Sequence, residues 1–163
     1  MSQHHFTYND FIVGNHMPLG SKLVTADEVI AFASEFDPQP FHLSEEAGTA
    51  SVLGGLAASG WHTCAMLMRM MADTYIRNSD SQGSPGLEYV KWLRPILAGD
   101  TISATTTIVE KRISRSQPSL GIIRLNQGLR GFVFHYRYSL ASLCIRATRI
   151  KIEPCASQTK TSC

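Results

Sequence analysis

The sequence predicts an α+β fold in which an antiparallel curved sheet wraps around a long central helix. Three observations lead there. From Gly60 to about Ile76 the chain is apolar on nearly every side of a helix, which marks a helix that is buried and surrounded. Extended runs follow it, Leu87–Leu93, Thr101–Lys111, Leu120–Asn126 and Phe132–Ser139, the last reaching toward Ile152, with turn residues between them at hairpin spacing. The sheet and the helix then have only each other to bury their apolar faces against.

The elements follow in order. Residues 1–23 are polar and aromatic without clear period, and Gly14 and Pro18 interrupt them, so a loosely structured lead-in with one short strand is expected. Thr25-Ala26-Asp27-Glu28 matches a capping box and starts a helix. Its apolar positions Val29, Ile30, Phe32, Ala33 and Phe36 share one face, and Pro38 disfavours helix at the residue before it. The helix therefore ends by delivering Asp37. Ser44 with Glu45 and Glu46 reads as a second N-cap, opening a short helix that breaks near Gly54-Gly55. Residues 78–86 read as a loop, and the later breaks fall at Pro95 to Asp100, Ser114 to Pro118 and Gly128 to Gly131. Residues 1–153 thus form one expected domain, with a disordered Ser, Thr and Lys rich tail at 154–163.

Composition narrows the function classes. With 163 residues, 44% hydrophobic and 17% charged, the chain suits a single globular domain. A net charge of +2 with scattered basic residues is not the footprint of a duplex-binding protein, so no nucleic acid is expected. Cysteines 64, 144, 155 and 163 show no C-x-x-C spacing, which fits a reducing compartment. Neither a signal-like apolar region nor an apolar run of about 18 residues is present, and the expectation is a cytoplasmic protein with no membrane span. His4, His5 and His16 lack ligand spacing, so neither metal nor cofactor is expected.

One stretch carries chemistry: Phe36-Asp37-Pro38-Gln39-Pro40-Phe41-His42. It places a carboxylate and an imidazole on a short segment stiffened by two prolines. Taken alone, Asp37 is as readily a cap or turn former, and His42 a surface or capping histidine.

Asp37-Pro-Gln-Pro-Phe-His42, followed by Ala47 and by Ala58-Ser59-Gly60-Trp61 at the start of the long helix, resembles the hydratase motif of the MaoC-like family of hot-dog-fold proteins, which includes the (R)-specific enoyl-CoA hydratases. Trp92-Leu-Arg-Pro95, Gly99-Asp100 and Asn126-Gln127-Gly128 extend the resemblance over roughly residues 20–150. Two positions depart from the family pattern. Gln39 stands where Asn is usual, and Gly128-Leu-Arg-Gly131 lacks an acidic residue often found in that hairpin. A glutamine keeps the amide at longer reach, so adjusted geometry with the same chemistry is expected.

The resemblance implies a hot-dog fold and hydration of a 2-enoyl-CoA thioester, or the reverse dehydration of a 3-hydroxyacyl-CoA, in fatty acid metabolism. Water addition needs a base, an acid for the α-carbon, and donors for the enolate-like oxygen. By resemblance Asp37 is the base and His42 orients the water. The amide of Gly60, unsatisfied at a helix N-terminus, would serve the oxyanion. Gln39, Ser59, Trp61 and His62 are the substrate-binding candidates; Ser59 is first of all an N-cap, and His62 equally a core histidine. The methionines at 66, 68, 70 and 71 read as core filling, with one or two bordering an acyl channel. Arg94, Arg112 and Arg115 are candidates for a CoA phosphate, each also an ordinary solvated side chain. A thioesterase of hot-dog type is the competing enzyme, although residues 60–72 hold no acid; a non-catalytic acyl-CoA-binding module is the other alternative. An unpaired sheet edge and the resemblance together imply a homodimer or higher oligomer.

Overall fold

The computed structural model describes residues 4–131 and 134–146; the expected tail at 154–163 and the extension toward Ile152 lie outside them. The elements are β1 (His16–Leu23), α1 (Ala26–Phe36), α2 (Pro40–Leu43), α3 (Glu45–Ala50), α4 (Gly60–Met71), β2 (Thr101–Ile113), β3 (Leu120–Gly131) and β4 (Phe134–Arg146). The four strands form one antiparallel sheet in the order β1-β2-β3-β4. Inward positions alternate along the strands, with Ile102, Ala104, Thr106 and Ile108 on β2 and Ile123, Leu125, Gln127 and Leu129 on β3. The apolar ones among them pack with Met66, Leu67, Met70 and Met71 of α4 in one core.

Local signals act as the residue types dictate. Thr25 Oγ1 accepts from the Glu28 amide at 3.3 Å while Glu28 Oε1 accepts from the Thr25 amide at 2.9 Å, which starts α1. The helix stops at Asp37, whose own amide donates to the Ala33 carbonyl. Phe36 leans on Phe32, with ring centroids 5.0 Å apart, and stays 65% exposed because it lies at the helix end. After Pro38 the chain makes α2, a single turn with Pro40 in its opening position, within the segment that the two prolines stiffen. Ser44 caps α3 by accepting from the Ala47 amide, and α3 ends at Ala50, short of the glycine pair, where Ser51 turns the chain.

Several expectations change. The lead-in is anchored: Phe11 is fully buried and meets Tyr75 edge-on at 5.7 Å, and Tyr8 lies where any side chain at Gly121 would sit. Tyr75 is in a five-residue π-helical turn, Ala72–Ile76, that continues α4. Burial pushes its phenol up to about 12. Residues 87–93 belong to none of the described strands. Leu87, Tyr89, Trp92 and Leu93 are exposed, and Trp92 turns to α4 instead. The expected break at Gly128–Gly131 is absent, because β3 keeps pairing through Thr105↔Gly128 and Ser103↔Arg130. Finally, α4 is not covered on every side by the described residues. One sheet covers one flank, leaving Trp61 and Met68 exposed on the other.

Candidate active site

Two helix ends meet at one cavity. Asp37 is the residue that terminates α1, His42 comes from α2, and Ser59 and Gly60 open α4. The short stretch 56–58 holds them in place: the Ala58 amide donates to the Ile96 carbonyl and the Ala98 amide to the Leu56 carbonyl, both at 2.8 Å. The same stretch fixes the imidazole. His42 Nδ1 lies 2.6 Å from the Ala57 carbonyl oxygen. A carbonyl only accepts, so Nδ1 carries the proton and, in the neutral ring, Nε2 is the acceptor.

That Nε2 lies 3.5 Å from Asp37 Oδ2. The donors to the carboxylate are closer: Ser59 Oγ donates to Oδ2 and Gln39 Nε2 to Oδ1, each at 2.7 Å. Asp37 is therefore held below the ordinary carboxylate range, first by the Ser59 hydrogen bond, then by that of Gln39, with a smaller contribution from the nearby His42 and against partial burial. Ser59, 1% exposed, also accepts from the Trp61 amide at 3.2 Å, so one hydroxyl both caps α4 and binds the carboxylate. Gly60 is crowded on its outer side, where an added Cβ would stand 2.7 Å from Cε2 of Trp92.

The cavity is about 540 Å³ and combines these groups with apolar walls from Phe41, Val52, Leu53, Leu93, Pro95 and Ile96. Trp61 stands at it, 61% exposed and edge-on to Trp92 at 5.6 Å. Asp37, His42, Gln39, Ser59, Gly60 and Trp61 are thus together. His62 is not. Two residues beyond Gly60 it points about 200° around the helix axis, stacks on Phe32 at 4.8 Å, and lines a separate groove with Lys22, Glu28 and Met66. Burial lowers the affinity of His62 for a proton, the nearby Glu28 opposing this and Lys22 adding to it. The methionines do not border the cavity; Met66 and Met70 line the groove beside His62. Of the three arginines, only Arg94 reaches the cavity, while Arg112 and Arg115 line a distant surface recess.

Thr63 and Trp92 line the cavity without having been singled out for it. Thr63, three residues from Gly60, returns to the same helix face, a spacing the sequence does display. Trp92 stood in the W-L-R-P stretch, but nothing local ties it to Gly60. No group of three or more His, Cys, Asp and Glu side chains suited to a metal occurs among the described residues. Nor is any described helix long and apolar enough to cross a membrane.

Comparison with known proteins bears on the family and the fold. Residues 15–126 match the MaoC-like domain family. The crystal structure of the MaoC-like dehydratase from Rhodospirillum rubrum shares 32% identity, covering 89% of this chain and 99% of that one, with a TM-score of 0.77. The R-hydratase PhaJ1 from Pseudomonas aeruginosa shares the fold at 14% identity, covering 90% and 89% of the two chains, with a TM-score of 0.69. A relative in Bacillus subtilis (strain 168), the uncharacterized protein YdeM, is 25% identical over 115 residues, 71% of this chain and 80% of that one.

Proposed function

Since the chain belongs to the MaoC-like domain family and has its hot-dog fold, we propose that it adds water to a 2-enoyl-CoA thioester, or removes it from the 3-hydroxyacyl-CoA, without a cofactor. The observation that carries this is the Asp37–His42 pair, 3.5 Å apart with the His42 proton committed to Ala57. Two acceptors then face each other, and the group that satisfies both is one water donating a hydrogen to each.

The mechanism follows from that arrangement. With Oδ2 and Nε2 taking its hydrogens, the water presents a lone pair to C3 of the enoyl group. Asp37 takes the proton as the C3–O bond forms, and negative charge moves to the thioester oxygen. The Gly60 amide, first of α4, is free of any intrahelical acceptor and meets that oxygen with the helix dipole behind it. The proton returns from Asp37 to C2, which leaves the enzyme unchanged. Gln39 and Ser59 keep the carboxylate ionised and aimed, and Trp61 contributes at the mouth. His62, facing another groove, is left out of the substrate site.

Loss of absorbance of a short enoyl-CoA such as crotonyl-CoA tests the reading. Asp37→Asn is expected to remove the activity; equal rates for wild type and variant would sink the assignment. Release of free thiol from acyl-CoA would favour a thioesterase instead. Against that, α4 carries no acid and Asp73 beyond it pairs with Arg69 and Arg77.

The same reading takes the protein as a homodimer or higher oligomer acting in the cytoplasm, with residues 1–153 as one domain. Support for assembly comes from Val52, Trp61, Trp92 and Leu93, large apolar side chains exposed around the cavity. A monomeric mass at micromolar concentration would count against it.

A further inference from the structure

The chemistry above leaves Trp92 without a task. It belongs to segment 87–93, outside the described strands, and is 46% exposed, yet its indole is placed closely. Nε1 donates to the Gly60 carbonyl oxygen at 3.0 Å, and the ring occupies the space that a Cβ on Gly60 would need. An indole this exposed has water available as an acceptor, so a bond to a helix carbonyl reflects a specific fit.

The carbonyl it reaches is half of a peptide group whose other half matters to Asp37. The Gly60 C=O and the Trp61 N–H belong to the same amide. That N–H donates to Ser59 Oγ at 3.2 Å, and the Ser59 hydroxyl donates to Asp37 Oδ2 at 2.7 Å. Serine has one hydrogen, and a carboxylate only accepts, so the direction of every link is fixed. The run goes from Trp92 through the 60–61 peptide and Ser59 to the carboxylate, with each donor aimed the same way. Hydrogen bonds in such a run polarise one another, and each makes the next donor stronger.

We propose that Trp92 is a positioning residue for the base: acting through the 60–61 peptide and Ser59, it strengthens the bond that holds Asp37 Oδ2 and so sets the aim and basicity of that carboxylate. The proposal rests on Asp37 being the base of the reaction above. The other groups around Asp37 are Gln39 and His42 from the α1–α2 region and Arg94 at the cavity wall. The first two turns of α4 bring no charged side chain to it.

The test reads Asp37 itself. The carboxyl carbon is titrated by carbon-13 NMR, its signal assigned by its loss in Asp37→Asn. Wild type is compared with Trp92→Phe, Ser59→Ala and the double variant. Trp92→Phe keeps an aromatic ring at this position and removes the N–H together with the five-membered ring that carries it; the double variant separates the lost bond from the lost packing. The titration midpoint is expected to rise in Trp92→Phe by on the order of 10–30% of its rise in Ser59→Ala. In the Ser59→Ala background, where the run is already cut, Trp92→Phe is expected to add nothing. An unmoved midpoint in Trp92→Phe would overturn the proposal, and so would an equal shift in both backgrounds, which would mean an effect through space or through loosened packing. None of these readings depends on turnover. A chain that responds as expected but hydrates no enoyl thioester would leave the positioning role standing and remove the assigned reaction.

Discussion

Replacing Ser59 by alanine separates two contributions that one hydroxyl makes. Ser59 Oγ accepts from the Trp61 amide at 3.2 Å and donates to Asp37 Oδ2 at 2.7 Å, in a position 1% exposed. Loss of an N-cap costs about 1 kcal/mol, and loss of a hydrogen bond to a charged group about 1.5–3 kcal/mol. The two share an atom and are not fully additive, which puts the expected cost at about 2–4 kcal/mol near neutral pH. Chemical denaturation reads this directly.

The pH dependence separates the two parts. Asp37 is held below its unfolded value, so its contribution to stability is fully present above the unfolded carboxylate pKa of about 3.9 and is lost as pH falls through the lower folded value. The cap has no such dependence. The difference between wild type and Ser59→Ala is therefore expected to shrink on acidification toward the cap alone. On the activity side, Asp37 loses its strongest donor, so the acid limb of the hydration profile moves to higher pH. A stability difference that stays constant from neutral to acid pH would refute the reasoning, because it would mean the Ser59 bond does not favour the ionised carboxylate.

Gly60→Ala tests the crowding at the helix start. The new Cβ would stand 2.7 Å from Cε2 and 2.8 Å from Nε1 of Trp92, short of ordinary contact by roughly 0.8 Å. At the first position of α4 alanine brings little of the gain it brings in a helix interior, so the clash and the lost indole bond are expected to cost about 1–3 kcal/mol of stability. The displaced amide is expected to lower kcat/KM by about 100-fold; an unchanged kcat/KM would show that this amide does not serve the reaction. His62→Leu should leave the hydration rate unchanged. It removes a buried Nδ1 with no hydrogen-bond partner and a proton affinity lowered by burial. The wild type is expected to lose stability as pH falls below about 6.5, and the variant to lack that component; matching profiles would contradict this.

What could be read from the sequence was what short-range chemistry decides. The capping box at Thr25, the helix stop at Asp37, the Ser44 cap and the start of α4 each depend on residues within about four positions, and each is where the sequence puts it. The bonds that make the site cross longer gaps. Asp37 to Ser59 spans 22 residues and Trp92 to Gly60 spans 32, and no local preference encodes either. His62 shows the opposite failure. Its type and nearness to Gly60 suggested the cavity, yet helical rotation sends it to another flank. Segment 87–93 reads as a strand because its residues favour extended backbone, and propensity alone does not place it in one of the four described strands.

The departure at Gln39 bears on how the two halves of the site depend on each other. Its amide reaches Asp37 Oδ1 at 2.7 Å, so with Ser59 it gives the carboxylate two donors and makes it a weaker base than an ordinary aspartate. A weakened base gains from remaining ionised but takes a proton from water less readily. In the proposed reaction the driving force must then come from the other end, where the Gly60 amide would stabilise the charge arriving on the thioester oxygen as the proton leaves. Under the proposed mechanism proton transfer and oxyanion stabilisation are one step carried by two helix ends. The pairing of residues 56–58 with 96–98 holds those ends together rather than leaving either on a free loop.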